Sequence, residues 1–404
     1  MSKSSDKKQR RKQRAERESK RAERNRSTTD VAKDAVSQHS VKSSSKKKDT
    51  SSKKKKGPIR EWVDAITFAV IFMVILRTVF FDLFRIPTPS MEKSLLVGDY
   101  IMVSKLHYGM RSPITLGIPF TQIYLRGIEL PWTRLPGFSS PKRFDMVVFN
   151  WPADNGKPID RKTHYIKRII GMPGDTLSIK DKVVHVNSDT LFFKDTESPL
   201  KDTMQHLWFV YKEDPRVKLP LTRLEELGVS GSYPTTNPAI EQLMATTAAA
   251  DSIASWEYVT TVRPVIRGPS INQGFSLYPG NTENSTDNFA PLLIPAKGHT
   301  IDLTPDNWLA YKPVITEFEN QTASLDGEII RINGQIADRY TFNQDYYFVM
   351  GDNRDNSEDS RFWGFVPMDH VVGRAVAVYF SWNKDGKPFL LGQIRANRMF
   401  RPIE

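Results

Sequence analysis

Tyr165-Ile166-Lys167-Arg168-Ile169-Ile170-Gly171-Met172-Pro173-Gly174-Asp175 opens with a β-branched and aromatic run and closes on a Pro-Gly turn, the pattern of a short strand. Successive side chains on a strand face opposite sides, so Lys167 and Arg168 cannot both point into one site. One is then available as a base, the other as a structural ion-pair partner. Lys167 lies between Tyr165-Ile166 and Ile169-Ile170. Apolar surroundings destabilise an ammonium and lower a pKa that is ~10.4 in water.

Working outward, Asp99–Lys105, Phe144–Asn150 and Ala375–Phe380 have the same short, β-rich character, many bounded by Gly or Pro. Neither βα alternation nor a repeat is present, so a mainly β body is expected. Residues 186–344 are less patterned and read as an insertion or second subdomain. Within them a helix is expected over Pro238–Ala250, with Asn237 as its N-cap and proline at its first position.

Upstream, Trp62–Phe84 reads WVDAITFAVIFMVILRTVFFDLF, long enough at ~1.5 Å per residue to cross a ~30 Å hydrocarbon core. Arg77 lies near one end, where its stem can snorkel. A cleaved signal peptide is disfavoured by the length of the apolar run and the lack of a following small-x-small site. Residues 1–57 hold 21 Lys and Arg against 7 Asp and Glu, or +14, so the remaining 347 residues carry −2 of the chain's +12. The basicity belongs to a tail expected to be disordered. A nucleic-acid arm is the alternative for that tail. Lys53–Lys56 and Arg60 directly precede the apolar run, where basic residues set topology and attract anionic lipid. The chain has no cysteine, which excludes thiol nucleophiles and Cys-ligated zinc. No His-Glu-x-x-His occurs, so zinc protease chemistry lacks support.

Two further motifs complete the pattern. Ile86-Pro87-Thr88-Pro89-Ser90-Met91 follows the span, and its prolines restrict the backbone around Thr88. Alone it reads as a linker. Gly351-Asp352-Asn353-Arg354-Asp355-Asn356-Ser357-Glu358-Asp359-Ser360-Arg361-Phe362-Trp363-Gly364-Phe365-Val366-Pro367 alone could be a solvated loop, or a calcium-type loop through Asp352, Asn353, Asp355 and Asn356. Arg354 and Arg361 count against the latter.

In this order, behind a span, the three motifs resemble bacterial type I signal peptidases, over about residues 60–185 and 345–380. Lys93-Ser94-Leu95-Leu96, His107-Tyr108-Gly109 and the long insertion resemble the Bacteroidetes branch. The resemblance implies a membrane-anchored serine protease with Ser90 as nucleophile and Lys167 as general base. It implies an oxyanion hole from the Ser90 N–H and the Thr88 hydroxyl, and a Ser357 hydrogen bond that positions the lysine. Asp352 would pair with Arg168 and Asp359 with Arg361. Phe84, Ile86, Pro87, Met91, Leu95, Ile101, Val148, Tyr165 and Ile166 would line shallow pockets for small side chains. Pro89 departs from the commoner glycine, and Thr88 from the commoner serine.

The expected organisation is a tail at 1–57, a transmembrane helix at 58–84, a catalytic core of antiparallel β-sheet at 85–185 and 345–404, and an inserted subdomain at 186–344. The expected partners are signal peptides of exported preproteins and membrane lipid, with no nucleic acid, cofactor or metal. The N-terminus is expected in the cytoplasm and the catalytic domain on the outer, periplasmic face of the inner membrane. Two rivals stay open: a Ser/Lys protease that cuts itself or a regulator, and a non-catalytic relative acting in binding or assembly.

Overall fold

The strand that carries Lys167 and Arg168 forms over His164–Gly171. It pairs antiparallel with Met146–Asn150 on one side and Tyr346–Met350 on the other. From edge to edge the sheet runs Phe81–Arg85, Asp99–Ser104, Val371–Ser381, Met146–Asn150, His164–Gly171, Tyr346–Met350 and Val366–Pro367, with Arg401–Pro402 beside Val371–Ser381. All five residues of Met146–Asn150 are buried, which explains the apolar run Met146–Phe149; the fifth, Asn150, is hydrogen-bonded to Arg111. Met146 and Val148 enter one cluster with Ile86, Met91, Leu95 and Ile101, whereas Val147 and Phe149 enter another with Ile169, Val349 and Val371. Strand parity thus builds two cores from one run. The chain is mainly antiparallel β, as its sequence leads one to expect. The computed structural model describes residues 57–117, 123–187, 189–190, 203–269, 276–280, 283–383 and 393–403, so the tail expected before Gly57 lies outside the described residues.

One helix among the described residues, Pro58–Val79, contains a stretch long and apolar enough to cross a membrane, Ile59–Val79. Trp62, Ile66, Phe68, Ile71, Met73 and Ile75 are all more than half exposed, as expected of a helix whose apolar surface meets lipid. The helix ends at Val79, short of the boundary expected at 84. Phe81–Arg85 is instead an edge strand, with Phe81 opposite Ser104 and Arg85 opposite Tyr100. Asp82 is the physical reason. Its carboxylate lies 2.6 Å from Arg77 and 3.3 Å from Lys105, and charged groups are costly within hydrocarbon. Hydropathy alone cannot distinguish Phe80–Phe84 from the end of a span.

Residues 186–344 do not share one core. Trp308, Tyr311 and Phe342 pack with Ile170, Leu177, Tyr346 and Phe348 from either side of that range. Residues 205–264 form their own sheet, in the order Gly231–Pro234, Ile240–Thr246, Gln205–Lys212 and Val259–Pro264, around Val210, Leu224, Leu243, Ile253 and Trp256. The helix expected over Pro238–Ala250 is instead a strand at Ile240–Thr246, followed by a helix at Thr247–Ala254. Ladder pairing with Gln205–Tyr211 overrides the helix propensity of Glu, Gln, Leu and Met. Thr246 caps the helix by accepting from the Ala249 N–H at 3.3 Å, while Asn237 accepts from Ala239 in the preceding turn.

This small sheet is stitched to the Gly351 loop. The Gln205 N–H donates to the Asp352 carbonyl at 2.9 Å, and Arg354 N–H returns a bond to the Gln205 carbonyl at 3.0 Å. Asp355 accepts from the Leu207 N–H at 2.7 Å and pairs with Lys182 at 2.8 Å and Arg267 at 3.2 Å. Lys182 also holds Asp287 at 2.8 Å. Removing one member of a buried ion cluster leaves uncompensated charge, which typically costs ~3–5 kcal/mol. Lys182→Met is therefore expected to destabilise the protein by about that much in denaturant unfolding of the detergent-solubilised chain. A loss below ~1 kcal/mol would show that solvent, not Lys182, balances these carboxylates.

Candidate active site

Ser90 stands in a single 3-10 turn, Pro89–Met91, entered from an extended Thr88 (φ −125°, ψ 154°). Pro89 occupies the first position of that turn, where a missing N–H leaves no bond unmade and the ring's fixed φ suits the geometry. Met91 and Leu95 are fully buried, and the Leu95 N–H donates to the Met91 carbonyl at 2.7 Å. They anchor the turn from beneath.

Of the two basic residues on the strand, Lys167 faces the serine. Its Nζ donates to Ser90 Oγ at 2.8 Å, and both side chains are buried. Arg168 turns the other way and makes a bidentate pair with Asp352, Nε to Oδ1 at 2.9 Å and Nη2 to Oδ2 at 2.7 Å. Ser94 Oγ donates to the same carboxylate at 2.5 Å and accepts from Arg168 Nη2 at 3.1 Å. Burial lowers the Lys167 amine to about 8, although Asp359, Glu358 and Asp352 pull towards the charged form.

The Gly351 loop closes over the serine from the opposite side. The Asn353 N–H donates to the Ser90 carbonyl at 3.1 Å, and its Nδ2 donates to the Pro89 carbonyl at 3.2 Å. A Cβ at Gly351 would lie 2.3 Å from Ser357 Oγ and 2.5 Å from the Ser90 carbonyl oxygen, so this approach requires glycine. Asp359 accepts from the Gly351 N–H at 3.0 Å and forms a bidentate pair with Arg361, both contacts at 2.9 Å. Arg361 in turn donates to the Arg354 carbonyl at 2.6 Å. Asp352 and Asp355 are each taken up by Arg or Lys partners and do not converge as they would around a calcium ion.

Ser90 and Lys167 open onto a cleft of about 570 Å³. Phe84, Ile86, Pro87, Ile101, Val148, Tyr165 and Ile166 line it, as do Thr88 and Ser357. Met91 and Leu95, expected among the lining residues, do not reach it: the 3-10 turn sends them into the core behind Ile86 and Ile101. The hydrogen bond expected between Ser357 and Lys167 is not made. Ser357 Oγ is buried and has no hydrogen-bond partner among the described residues, because Lys167 is directed to Ser90. Thr88 Oγ1 is 3.5 Å from Ser90 Oγ. Asn353 and Ser94 support the site in ways the sequence does not signal. Asn353 reads only as an oxygen ligand, and no local pattern directs its amide to a proline carbonyl 264 residues away.

A serine hydroxyl held by a buried lysine, in a β-sheet body that follows a membrane-length apolar helix, belongs to the membrane-bound hydrolases of the serine type. Residues 59–230 and 312–382 match the family described as signal peptidase, peptidase S26. The match covers more than half of the chain, which therefore belongs to that family and is a membrane signal peptidase, a serine endopeptidase. Relatives include signal peptidase I of Buchnera aphidicola subsp. Acyrthosiphon pisum, 26% identical over 343 residues, covering 82% of this chain and 77% of the relative. Signal peptidase I of Haemophilus influenzae is 24% identical, covering 83% and 73%, and that of Aquifex aeolicus 26%, covering 77% and 82%. Residues 231–311 fall outside the family match.

An amine lowered to about 8 is mostly ammonium at neutral pH and mostly free base above pH 8. If it takes the Ser90 proton, kcat/KM is expected to rise about tenfold per pH unit below that value and to level off above it. A profile that stays flat between pH 6 and 9 contradicts a titrating lysine. For folding, an amine with a lowered native pKa binds fewer protons than the unfolded chain between about pH 8 and ~10.4, so stability from this group rises with pH across that window.

Proposed function

We propose that Ser90 is the nucleophile and Lys167 the general base in the removal of signal peptides from exported preproteins. The observation that carries this reading is the 2.8 Å contact between Lys167 Nζ and Ser90 Oγ in a buried, cleft-lining position. Neutral Lys167 takes the hydroxyl proton as Ser90 Oγ attacks the scissile carbonyl carbon. The oxyanion that forms accepts from the Ser90 N–H and the Thr88 hydroxyl. The resulting ammonium returns its proton to the leaving amine, and an acyl-enzyme remains on Ser90. Lys167 then deprotonates a water that attacks the ester, releasing the signal peptide and regenerating the serine.

Arg168, Asp352, Asp359 and Arg361 brace the loop without taking part in the chemistry. In this reading Ser357 meets the Lys167 amine once Ser90 is acylated and no longer accepts from it. Phe84, Ile86, Pro87, Ile101, Val148, Tyr165 and Ile166 offer shallow, largely apolar walls that suit small side chains on an extended peptide. Lys53–Lys56 and Arg60 keep the N-terminus in the cytoplasm, with the catalytic domain on the outer face of the inner membrane. Residues 186–344 are an insertion between the two segments of the catalytic core, and part of it, including Trp308 and Tyr311, packs into the same core as Ile170 and Phe348.

The test is cleavage of a purified preprotein with N-terminal sequencing of the product. Ser90→Ala, Lys167→Ala and Lys167→Arg are expected to be inactive while folded by circular dichroism, since a guanidinium stays protonated. Thr88→Val is expected to lower kcat by ~10²–10³ with little change in KM, and Thr88→Ser to retain most activity. Turnover by Lys167→Arg overturns the base assignment, and a near-normal kcat for Thr88→Val overturns the oxyanion role.

A further inference from the structure

Beside the catalytic cleft lies a second cavity of about 390 Å³ whose walls carry Arg77, Lys105, Arg111 and Arg161 against two carboxylates, Asp82 and Asp160. Asp82 is shared between Arg77 and Lys105. Arg111 donates to neutral oxygens, the Asp369 carbonyl and Asn150 Oδ1. Charges of both signs in the wall act on neighbouring groups. Burial lowers the Lys105 amine, and Arg77 and Arg111 add to this against the pull of Asp82. Burial likewise lowers His164 to about 4, against the pull of Asp82 and with Arg111 and Lys105 adding to the shift. Its ring is therefore neutral and adds no charge to the wall.

The position of Arg77 identifies the kind of anion. Arg77 stands in the last turn of the apolar helix, whose 21 residues from Ile59 to Val79 span roughly 31 Å, the thickness of the hydrocarbon layer. A chain that crosses the bilayer with this helix delivers Arg77 to the level of the lipid phosphates. Arginine forks match phosphate oxygens, and a partly enclosed site strengthens the attraction. Asp160 Oδ1 is buried and has no hydrogen-bond partner among the described residues, so a hydroxyl-bearing headgroup would find an acceptor there. Its other oxygen is held by the Thr115 N–H at 2.9 Å and the Thr115 hydroxyl at 3.0 Å.

We propose that this cavity binds the headgroup of an anionic glycerophospholipid of the phosphatidylglycerol type, with its phosphate among Arg77, Lys105, Arg111 and Arg161 and a glycerol hydroxyl on Asp160. Phe84 and His164, whose ring centroids are 4.9 Å apart, line both this cavity and the catalytic cleft. The lipid would therefore sit one side chain away from the substrate. The proposal rests on membrane anchoring and not on the catalytic assignments.

The test is native mass spectrometry of the full-length, detergent-solubilised chain titrated separately with phosphatidylglycerol, phosphatidylcholine and inorganic phosphate. One saturable phosphatidylglycerol site is expected, at least about tenfold tighter than for phosphatidylcholine, and weakened about tenfold in the Lys105→Gln/Arg161→Gln double variant. The variant keeps the basic tail, so unchanged binding would assign the lipid to the tail and overturn the proposal. Equal retention of the two lipids overturns it too, as does inorganic phosphate binding as tightly as phosphatidylglycerol. If circular dichroism shows the double variant unfolded, the wild-type contrast among the three ligands decides alone. Because the readout is binding, it is independent of whether Ser90 and Lys167 carry out the cleavage.

Discussion

Burying a lysine amine removes the hydration that stabilises its ammonium, and in the proposed mechanism that loss is what lets Lys167 act on Ser90. In water the amine would hold its proton against a serine hydroxyl throughout the physiological range. With the amine lowered to about 8, a fraction of molecules holds it as the free base at neutral pH. The site must stay dry around Lys167, yet the peptide must reach Ser90. An apolar-walled cleft that opens on the serine and backs onto a packed sheet meets both demands.

Dryness brings a second problem, because the loop over Ser90 is rich in charge. Arg168 with Asp352, and Arg361 with Asp359, are almost fully buried and bidentate, so each charge has an oriented partner. These pairs hold the Gly351 loop close enough for Asn353 to donate to the Ser90 and Pro89 carbonyls. Asp355 then extends the network to Lys182, Arg267 and the 205–264 sheet. Through this chain of contacts the small sheet is linked to the loop that holds Ser90 without reaching the serine itself.

Much of the fold is legible in the sequence. The strands around residues 99–104, 146–150, 164–171 and 371–381 announce themselves by short β-branched and aromatic runs. Strand parity by itself separates Lys167 from Arg168, although it does not say which one meets the serine. What is not legible depends on partners distant in sequence. Phe80–Phe84 reads as membrane span until Asp82 finds Lys105. Residues 240–246 read as helix until Gln205–Tyr211 pairs with them. Met91 and Leu95, which the resemblance puts in the pocket walls, are directed into the core by the turn at Ser90. The misses at Phe80–Phe84 and at residues 240–246 each concern a local pattern that two folds could satisfy and that a long-range contact decides.

In the proposed mechanism a buried Lys167, able to lose its proton near neutral pH, activates Ser90. That activation is tested most directly by mapping where a serine-directed β-lactam-type acylator attaches, and how fast, in the wild type and in Lys167→Met. One stable adduct is expected on the peptide containing Ser90, formed faster as pH rises towards about 8, and almost abolished in the folded Lys167→Met variant. An adduct on another serine, or acylation of Ser90 at the wild-type rate without Lys167, would contradict it.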